Sequence, residues 1–304
     1  MSATQEVLAA VPVAASRPRR PLWRRYLHVS ELAWAIAFIA PYAAMFLAFV
    51  IHPLVYGFWI AHEPSLYVEL ASDPNYVRTV INTVLFVGFA VNAKMFLALL
   101  LSGFFMRRRW WIKVLLFVYI LPWALPAIPA FVSFHWMLIG EQGFLNSLLS
   151  ALFGIEGPLW FNNRWLALGS DIVSYVWKWM PFWTVVFLAG RMAIPQEIYE
   201  AADMDGATGW RRFVHVVFPL LANMYLVCTL LSTLWTVGDF TTVYLVSGGA
   251  PALSTEVLAT LGFHYAFDTA RPSLGVAAVV STLPVLIPIA IMLMRRLQTR
   301  EVQL

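Results

Sequence analysis

Cysteine is all but missing from this chain: Cys228 is the single one, and it lies inside an apolar run. No intrachain disulfide can form, and no Cys-x-x-Cys or mixed Cys/His metal pattern exists. The histidines (His28, His52, His62, His135, His215 and His264) are scattered without a His-x-x-x-His pair or an acidic partner at ligand spacing, so no metal site is expected. A GxxxxGK[ST] phosphate loop is lacking, and no Gly-rich turn leads from a strand into a helix, so the chain is not expected to hydrolyse ATP. Neither GxSxG nor Ser-x-x-Lys occurs, which removes the usual serine nucleophiles. The alternating segments of a membrane barrel are absent as well. No cofactor is implied.

Charge is scarce. Only 12% of residues are charged against 61% hydrophobic, and the mean hydropathy is +0.74, whereas soluble domains carry about a quarter charged residues. The chain therefore reads as an all-α, multi-pass membrane protein. Six apolar runs are long enough to span: Leu32 to Phe58, Val80 to Phe105, Val114 to Ile139, Leu166 to Ala189, Pro219 to Val246 and Leu274 to Met294. The prolines within them (Pro41, Pro53, Pro122, Pro126, Pro129, Pro181, Pro284 and Pro288) are expected to kink rather than end helices, because neighbouring groups satisfy the freed carbonyls.

The net charge of +4 and pI near 9.3 invite a nucleic-acid reading, but the placement of the charges argues for membrane orientation instead. Arg17, Arg19, Arg20, Arg24 and Arg25, then Arg107, Arg108, Arg109 and Lys113, then Arg191, Arg211 and Arg212, then Arg295, Arg296 and Arg300 fall on one side of a six-span chain. The other side holds Arg78, Arg164 and Arg271 only. By the positive-inside rule both termini are cytoplasmic. Residues 1–30 read as a mobile cytoplasmic tail, 31–296 as the six-helix membrane domain with a cytoplasmic loop at 191–219, and 297–304 as a short cytoplasmic tail. The first apolar run exceeds a signal-peptide core and no small-x-small cleavage site follows, so it is read as retained. Outside, Gly140 to Arg164 carries Phe144, Leu148, Leu149, Leu152 and Phe153, a short interfacial helix closed by Gly154, Gly157 and Pro158, serving either packing or the docking of an external partner.

Charged side chains within spans are costly and usually face a cavity or a partner helix. Lys94, Asp171, Lys178 and Asp239 are the cases. Asp171, Ser174 and Lys178 share one stripe of the fourth span; Thr229, Ser232, Thr233, Thr236 and Asp239 share one of the fifth. Helix spacing places Lys178 within reach of Asp239 across the two spans, with a Lys178–Asp171 pair as the alternative. Trp177, Trp183, Trp235 and Tyr244 lie near these stripes, and a flat face with one polar edge suits a sugar ring. Candidate solute-path residues are thus Trp177, Lys178, Trp235, Thr236, Asp239 and Tyr244. The same stripes also serve as plain helix-packing surfaces or, for the aromatics, an interfacial belt.

The one long polar segment that reads as helix, turn, helix is Pro195 to Pro219, PQEIYEAADMDGATGWRRFVHVVFP. Pro195 suits a first helical position, Glu197, Glu200 and Asp203 follow at helical spacing, and Gly206 supplies a left-handed end. A second amphipathic helix starts near Thr208, with Trp210, Phe213, Val214 and Val217 on one side. Taken by themselves, these residues describe an ordinary capped cytoplasmic loop.

Glu200-Ala201-Ala202, Gly206, then Val216 and Phe218-Pro219 resemble the EAA motif of the permease subunits of binding-protein-dependent ABC importers, departing from it only in Phe218 where Leu is usual. Val80-Ile81-Asn82-Thr83, Gly143 to Asn146 and Asp239 to Gly249 resemble the carbohydrate branch of that family, the maltose and glycerol-phosphate type, over most of the chain after about Pro41. The resemblance implies a permease subunit in a bacterial or archaeal inner membrane. Its implied partners are a second permease, two ATP-binding subunits and an extracytoplasmic solute-binding protein, besides membrane lipid, and no nucleic acid. It also implies that the loop couples to the ATPase, with Glu200 as polar contact, Ala201 and Ala202 as close-packed face, Gly206 as turn, and Asp205 and Arg211 beside them. The solute would be an oligosaccharide, monosaccharide, polyol or glycerol phosphate. The rival is an ion- or proton-coupled secondary transporter using Lys94, Lys178 and Asp239 as a relay, which needs no such loop.

Overall fold

A computed structural model describes residues 23–107 and 109–301. The described chain is helical, with no strand among the described residues. It divides into two compact units, 1–56 and 57–304. The first contains α1 (Trp23–Phe46), a wide π-turn at Leu47–Ile51, and the start of α2 (His52–Ile60). The second continues with α3 (Pro64–Ser72), α4 (Pro74–Phe105), α5 (Trp110–Ala124), α6 (Ala127–Leu138), α7 (Phe144–Phe153), α8 (Arg164–Met192), α9 (Gln196–Met204), α10 (Gly209–Arg212), α11 (Phe218–Val237), α12 (Thr241–Val246), α13 (Leu258–Phe263), α14 (Pro272–Val280) and α15 (Leu283–Glu301).

Among the described residues, four continuous helical stretches are long and apolar enough to cross a membrane: Ala33–Ile60, Pro74–Phe105, Arg164–Met192 and Gly209–Val237. A fifth candidate is the pair α5 and α6, bent by 94°. The described helices depart from the six proline-kinked spans expected at three breaks. Pro126 follows Leu125, whose extended backbone is what a residue before proline prefers, so the chain breaks between α5 and α6 rather than kinking. Gly238 ends α11, and Asp239 falls in the break before α12 instead of on a helical stripe. Ser281 and Thr282 separate α14 from α15, with Pro284 in the first turn of the latter. At the start, Trp23 to Ser30, within the stretch read as a tail, are helical and continuous with α1; residues 1–22, with Arg17, Arg19 and Arg20, lie outside the described residues, as do Arg108 and residues 302–304.

The π-turns at Leu47–Ile51 and Phe213–Val217 each end two residues before a proline, Pro53 and Pro219. A proline ring clashes with the carbonyl four residues back, and one extra residue in the turn moves that carbonyl away while the helix continues. Side chains cap the starts of α4 and α8: Asp73 accepts from Asn75 N at 2.7 Å, and Asn163 from Trp165 N at 2.8 Å.

The core of the second unit is the pair α4 and α8. Val91, Met95 and Leu99 of α4 meet Trp183 and Phe187 of α8, and Leu221 and Cys228 of α11 close the cluster. Towards the opposite end Phe86, Leu168, Tyr175, Val243 and Val257 form a second layer, and α3, α13 and α14 pack around Leu70, Leu261 and Ala277. The short helix read from Phe144 to Phe153 is α7, and Gly154 closes it at φ 65°.

Candidate functional site

The segment at 195–219 folds as helix, turn, helix. Pro195 caps α9 rather than opening it, Gly206 takes φ 72°, and Thr208 precedes α10. A Cβ is strained at such a φ, whereas glycine meets no penalty. Asp205 N donates to Ala201 O and Ala207 N to Ala202 O, closing the turn. Arg212 of α10 reaches back to Asp203 of α9 at 2.7 Å and sets the angle between the two helices. The inward face of α9 is Tyr199 and Ala202, both buried; Glu200, Ala201, Met204 and Asp205 face away, with Met204 88% exposed. Within this chain only Ala202 of the Ala201-Ala202 pair packs, because consecutive helical residues point about 100° apart, and Ala201 is left on the outer face. Arg211 is exposed. Of the apolar stripe expected on the second helix, Val217 is buried while Trp210 and Val214 are exposed.

Beneath α9 lies a joint that sequence reasoning missed. Arg191, buried at the end of α8, donates from Nε to Ser102 Oγ at 2.7 Å and from Nη2 to Leu99 O at 3.0 Å, both on α4. Its guanidinium stands 5.5 Å from the ring of Phe213, and its carbonyl accepts from Tyr199 Oη at 3.1 Å. Gly103 leaves room for it, since a Cβ there would sit 3.3 Å from the guanidinium carbon. One residue, through its side chain and its carbonyl, thereby ties α4 and α8 to α9 and to the turn before α11. The available signal was an arginine next to the end of an apolar run, which the orientation rule alone had absorbed.

Within the spans a buried polar seam runs between α4, α8, α11 and α12. Lys94 Nζ lies 4.4 Å from the ring of Tyr175, whose hydroxyl is 2.9 Å from Thr236 Oγ1. Asp239 interacts electrostatically with Lys94, and its Oδ2 accepts from Thr242 N at 3.2 Å. Asp171 is fully buried beside Ser247, and neither carboxylate oxygen has a hydrogen bond of normal geometry. Lys178 takes a different course from either pairing expected. Its Nζ donates to Pro122 O at 2.8 Å, Trp123 O at 3.1 Å and also Leu125 O. Helix α5 ends in carbonyls with no following turn to receive them, and an ammonium, carrying three donors, satisfies them. The pairing of Lys178 with Asp239 or Asp171 is therefore corrected: Lys178 pins the α5–α6 break.

The aromatic candidates separate. Trp235 lies 5.6 Å from Trp183 and 6.0 Å from Phe182, and is 54% exposed. Tyr244 stacks on Phe240 at 4.6 Å and meets Phe263 at 5.3 Å. Trp177 instead packs edge-on against Phe134 of α6. Thr236 and Asp239 thus share the seam with Lys94 and Tyr175, Trp235 and Tyr244 offer exposed rings, and Trp177 and Lys178 serve the α6 and α5 contacts.

At the other end a latch closes the seam. Asn82 Nδ2 donates to Ser254 O at 2.8 Å and Glu256 O at 2.9 Å, and its Oδ1 accepts from Arg164 at 2.7 Å. Glu256 is buried, with Oε2 unpartnered. Burial pushes its carboxyl up to about 7, His264 opposing the rise and Asp268 and Asp73 adding to it.

Comparison with known proteins gives the following. The family described as "Binding-protein-dependent transport system inner membrane component" matches residues 94–302. The sulfoquinovosyl glycerol transport system permease protein of Agrobacterium fabrum is 32% identical over 256 residues, 79% of this chain and 82% of that protein. The trehalose/maltose transport system permease protein of Thermococcus litoralis is 30% identical over 75% of this chain and 81% of its own length. A chain of a bacterial alginate ABC transporter, solved with an alginate pentasaccharide-bound periplasmic protein, superposes with TM-score 0.78 at 20% identity, over 89% of this chain and 96% of that one.

Proposed function

We propose, from the premise that this chain belongs to the family of binding-protein-dependent transport system inner membrane components, that it lines the membrane path of a carbohydrate importer and takes its power stroke through α9. Membership makes it a permease subunit of an inner-membrane ABC importer. Such subunits are not catalytic; ATP is hydrolysed by a separate ATPase, and a substrate-binding protein works with them. An ion-coupled secondary transporter is not favoured.

The observation that carries the coupling role is the arrangement around Arg191. The outer face of α9 (Glu200, Ala201, Met204 and Asp205) is free for a partner, while its inner face is bonded through Tyr199 to Arg191 and thence to α4. A partner that displaces α9 would pull on the ends of α4 and α8 through these hydrogen bonds. Asp205, Gly206 and Arg211 shape the turn that presents this face.

The names of the relatives, which concern a sulfosugar glycerol and disaccharides, support a sugar or sugar-like solute. Trp235 and Tyr244 would offer ring faces, and Thr236 and Asp239 would accept or donate to hydroxyls beside them; Lys178 and Trp177 would contribute by holding the α5–α6 wall. The proposed assembly has six spans, the last formed by α14 and α15 together, with both termini and α9 cytoplasmic, as the Lys/Arg asymmetry favours. It pairs with a second permease and two ATPase subunits. Residues 1–30 and 297–304 remain outside the permease domain at 31–296 in this reading.

The test is a cross-link. With Cys228 replaced, Met204→Cys should be joined to the co-expressed ATPase subunit by a short bifunctional thiol reagent, and nucleotide should change the yield. Cross-linking of Met204→Cys to the external binding protein instead would sink both the orientation and the coupling role.

A further inference from the structure

At the end of the molecule that carries α9, two cavities adjoin. The first, of about 440 Å³, lies between the ends of α4 and α8 and the α9–α10 turn, and its charged lining is Arg107, Arg191, Arg212 and Asp203. Asp203 is already spent on Arg212, so three guanidiniums face one committed carboxylate. The second, of about 770 Å³, shares Met106, Arg107 and Gln196 with the first. Beyond Lys113 its wall is apolar, formed by Phe105, Leu188, Met192 and Ile194. Arg107 stands at the junction, exposed, its guanidinium 5.7 Å from the ring of Phe104.

Like charges held together cost stability unless an anion joins them, and basic pockets between spanning helices on the cytoplasmic side suit phosphate headgroups. An acidic loop of a soluble subunit would use the basic half alone and leave the aliphatic trough without purpose. A lipid uses both, because its phosphate is tethered to an acyl chain. We propose that this paired cavity binds one anionic phospholipid of the inner leaflet, its phosphate at Arg107 and Lys113 near the Arg191 joint, and its chain along Phe105, Leu188 and Met192. Bound there, the lipid braces the turn between α9 and α10 and makes coupling depend on membrane composition. This rests on the cytoplasmic placement of α9 given above.

The test uses the complete transporter in nanodiscs of phosphatidylcholine with graded phosphatidylglycerol. Native mass spectrometry counts retained anionic lipid, and ATPase stimulation by loaded binding protein reads coupling. Arg107→Gln and Lys113→Gln should each raise the phosphatidylglycerol fraction needed for half-maximal stimulation about fivefold, and the double variant should stay below half-maximal stimulation across the whole range of phosphatidylglycerol. Equal lipid retention and an equal midpoint in the double variant would overturn the proposal. So would inorganic phosphate or glycerol phosphate restoring stimulation in pure phosphatidylcholine, which would make this a site for a soluble anion. Loss of ATPase subunit from the double variant in lipid-free detergent would assign the cavity to the ATPase instead. A Met204→Cys cross-link to the ATPase that persists while lipid dependence fails would refute the lipid site and leave the coupling role standing.

Discussion

Replacing Lys178 by Met asks what holds the broken helix. The ammonium donates to the carbonyls of Pro122, Trp123 and Leu125, and a methionine of similar length keeps the packing while leaving those oxygens without a donor. Interhelical hydrogen bonds in membranes average near 0.6 kcal/mol and reach about 1.7, so three of them bracket the loss at roughly 2 to 5 kcal/mol. Lys178→Arg, which retains donors, should recover much of it. Lys178→Met with Asp239→Asn is the informative combination, because the two residues share no partner: Asp239 bonds Thr242 and senses Lys94. Their effects should add within about 0.5 kcal/mol. The assay is the midpoint of SDS-induced unfolding of the purified transporter in mixed micelles, with tryptophan emission as the signal. A double variant that regains half or more of the single losses would show a Lys178–Asp239 pair and refute this account of the break.

Three other outcomes are expected. Arg191→Met should leave the ATPase bound but lower transport per ATP about tenfold or more, since one charge-assisted bond is worth about 1.5–3 kcal/mol; a parent ratio of transport to hydrolysis would remove Arg191 from the coupling joint. Gly206→Pro should abolish transport with the spans still inserted, because proline cannot adopt φ 72° and loses the N–H bonded to Asp203 O; normal uptake would show that the turn is dispensable. Glu256 titrates at about 7 when folded against an ordinary 4.5. The folded form therefore keeps a proton that the unfolded chain has released, and stability should fall as pH rises from about 4.5 to 7 and then level off. Glu256→Gln should flatten that slope in a pH series of unfolding midpoints, and an unchanged slope would place the titration elsewhere.

The sequence by itself determined whatever a few neighbouring residues control. The membrane class followed from the scarcity of charge. The turn at Gly206 was legible because glycine readily takes the left-handed conformation that ends α9 there, and α7 because Gly154, Gly157 and Pro158 close an apolar stretch from Phe144 to Phe153. Even the end of α11 had a local mark in Gly238, overlooked because Asp239 fitted the helical stripe so well. What tertiary structure alone decided was partner choice. A proline in an apolar run permits either a gentle kink or a break, and the 94° bend between α5 and α6 is stabilised by a lysine on α8, more than fifty residues away in the chain. Arg191 looked like one more positive-inside charge until α4 brought Ser102 and Leu99 to it. Long side chains with several donors reach many acceptors of similar merit, and the energy separating those choices lies in contacts between helices, which no periodicity along a single helix records.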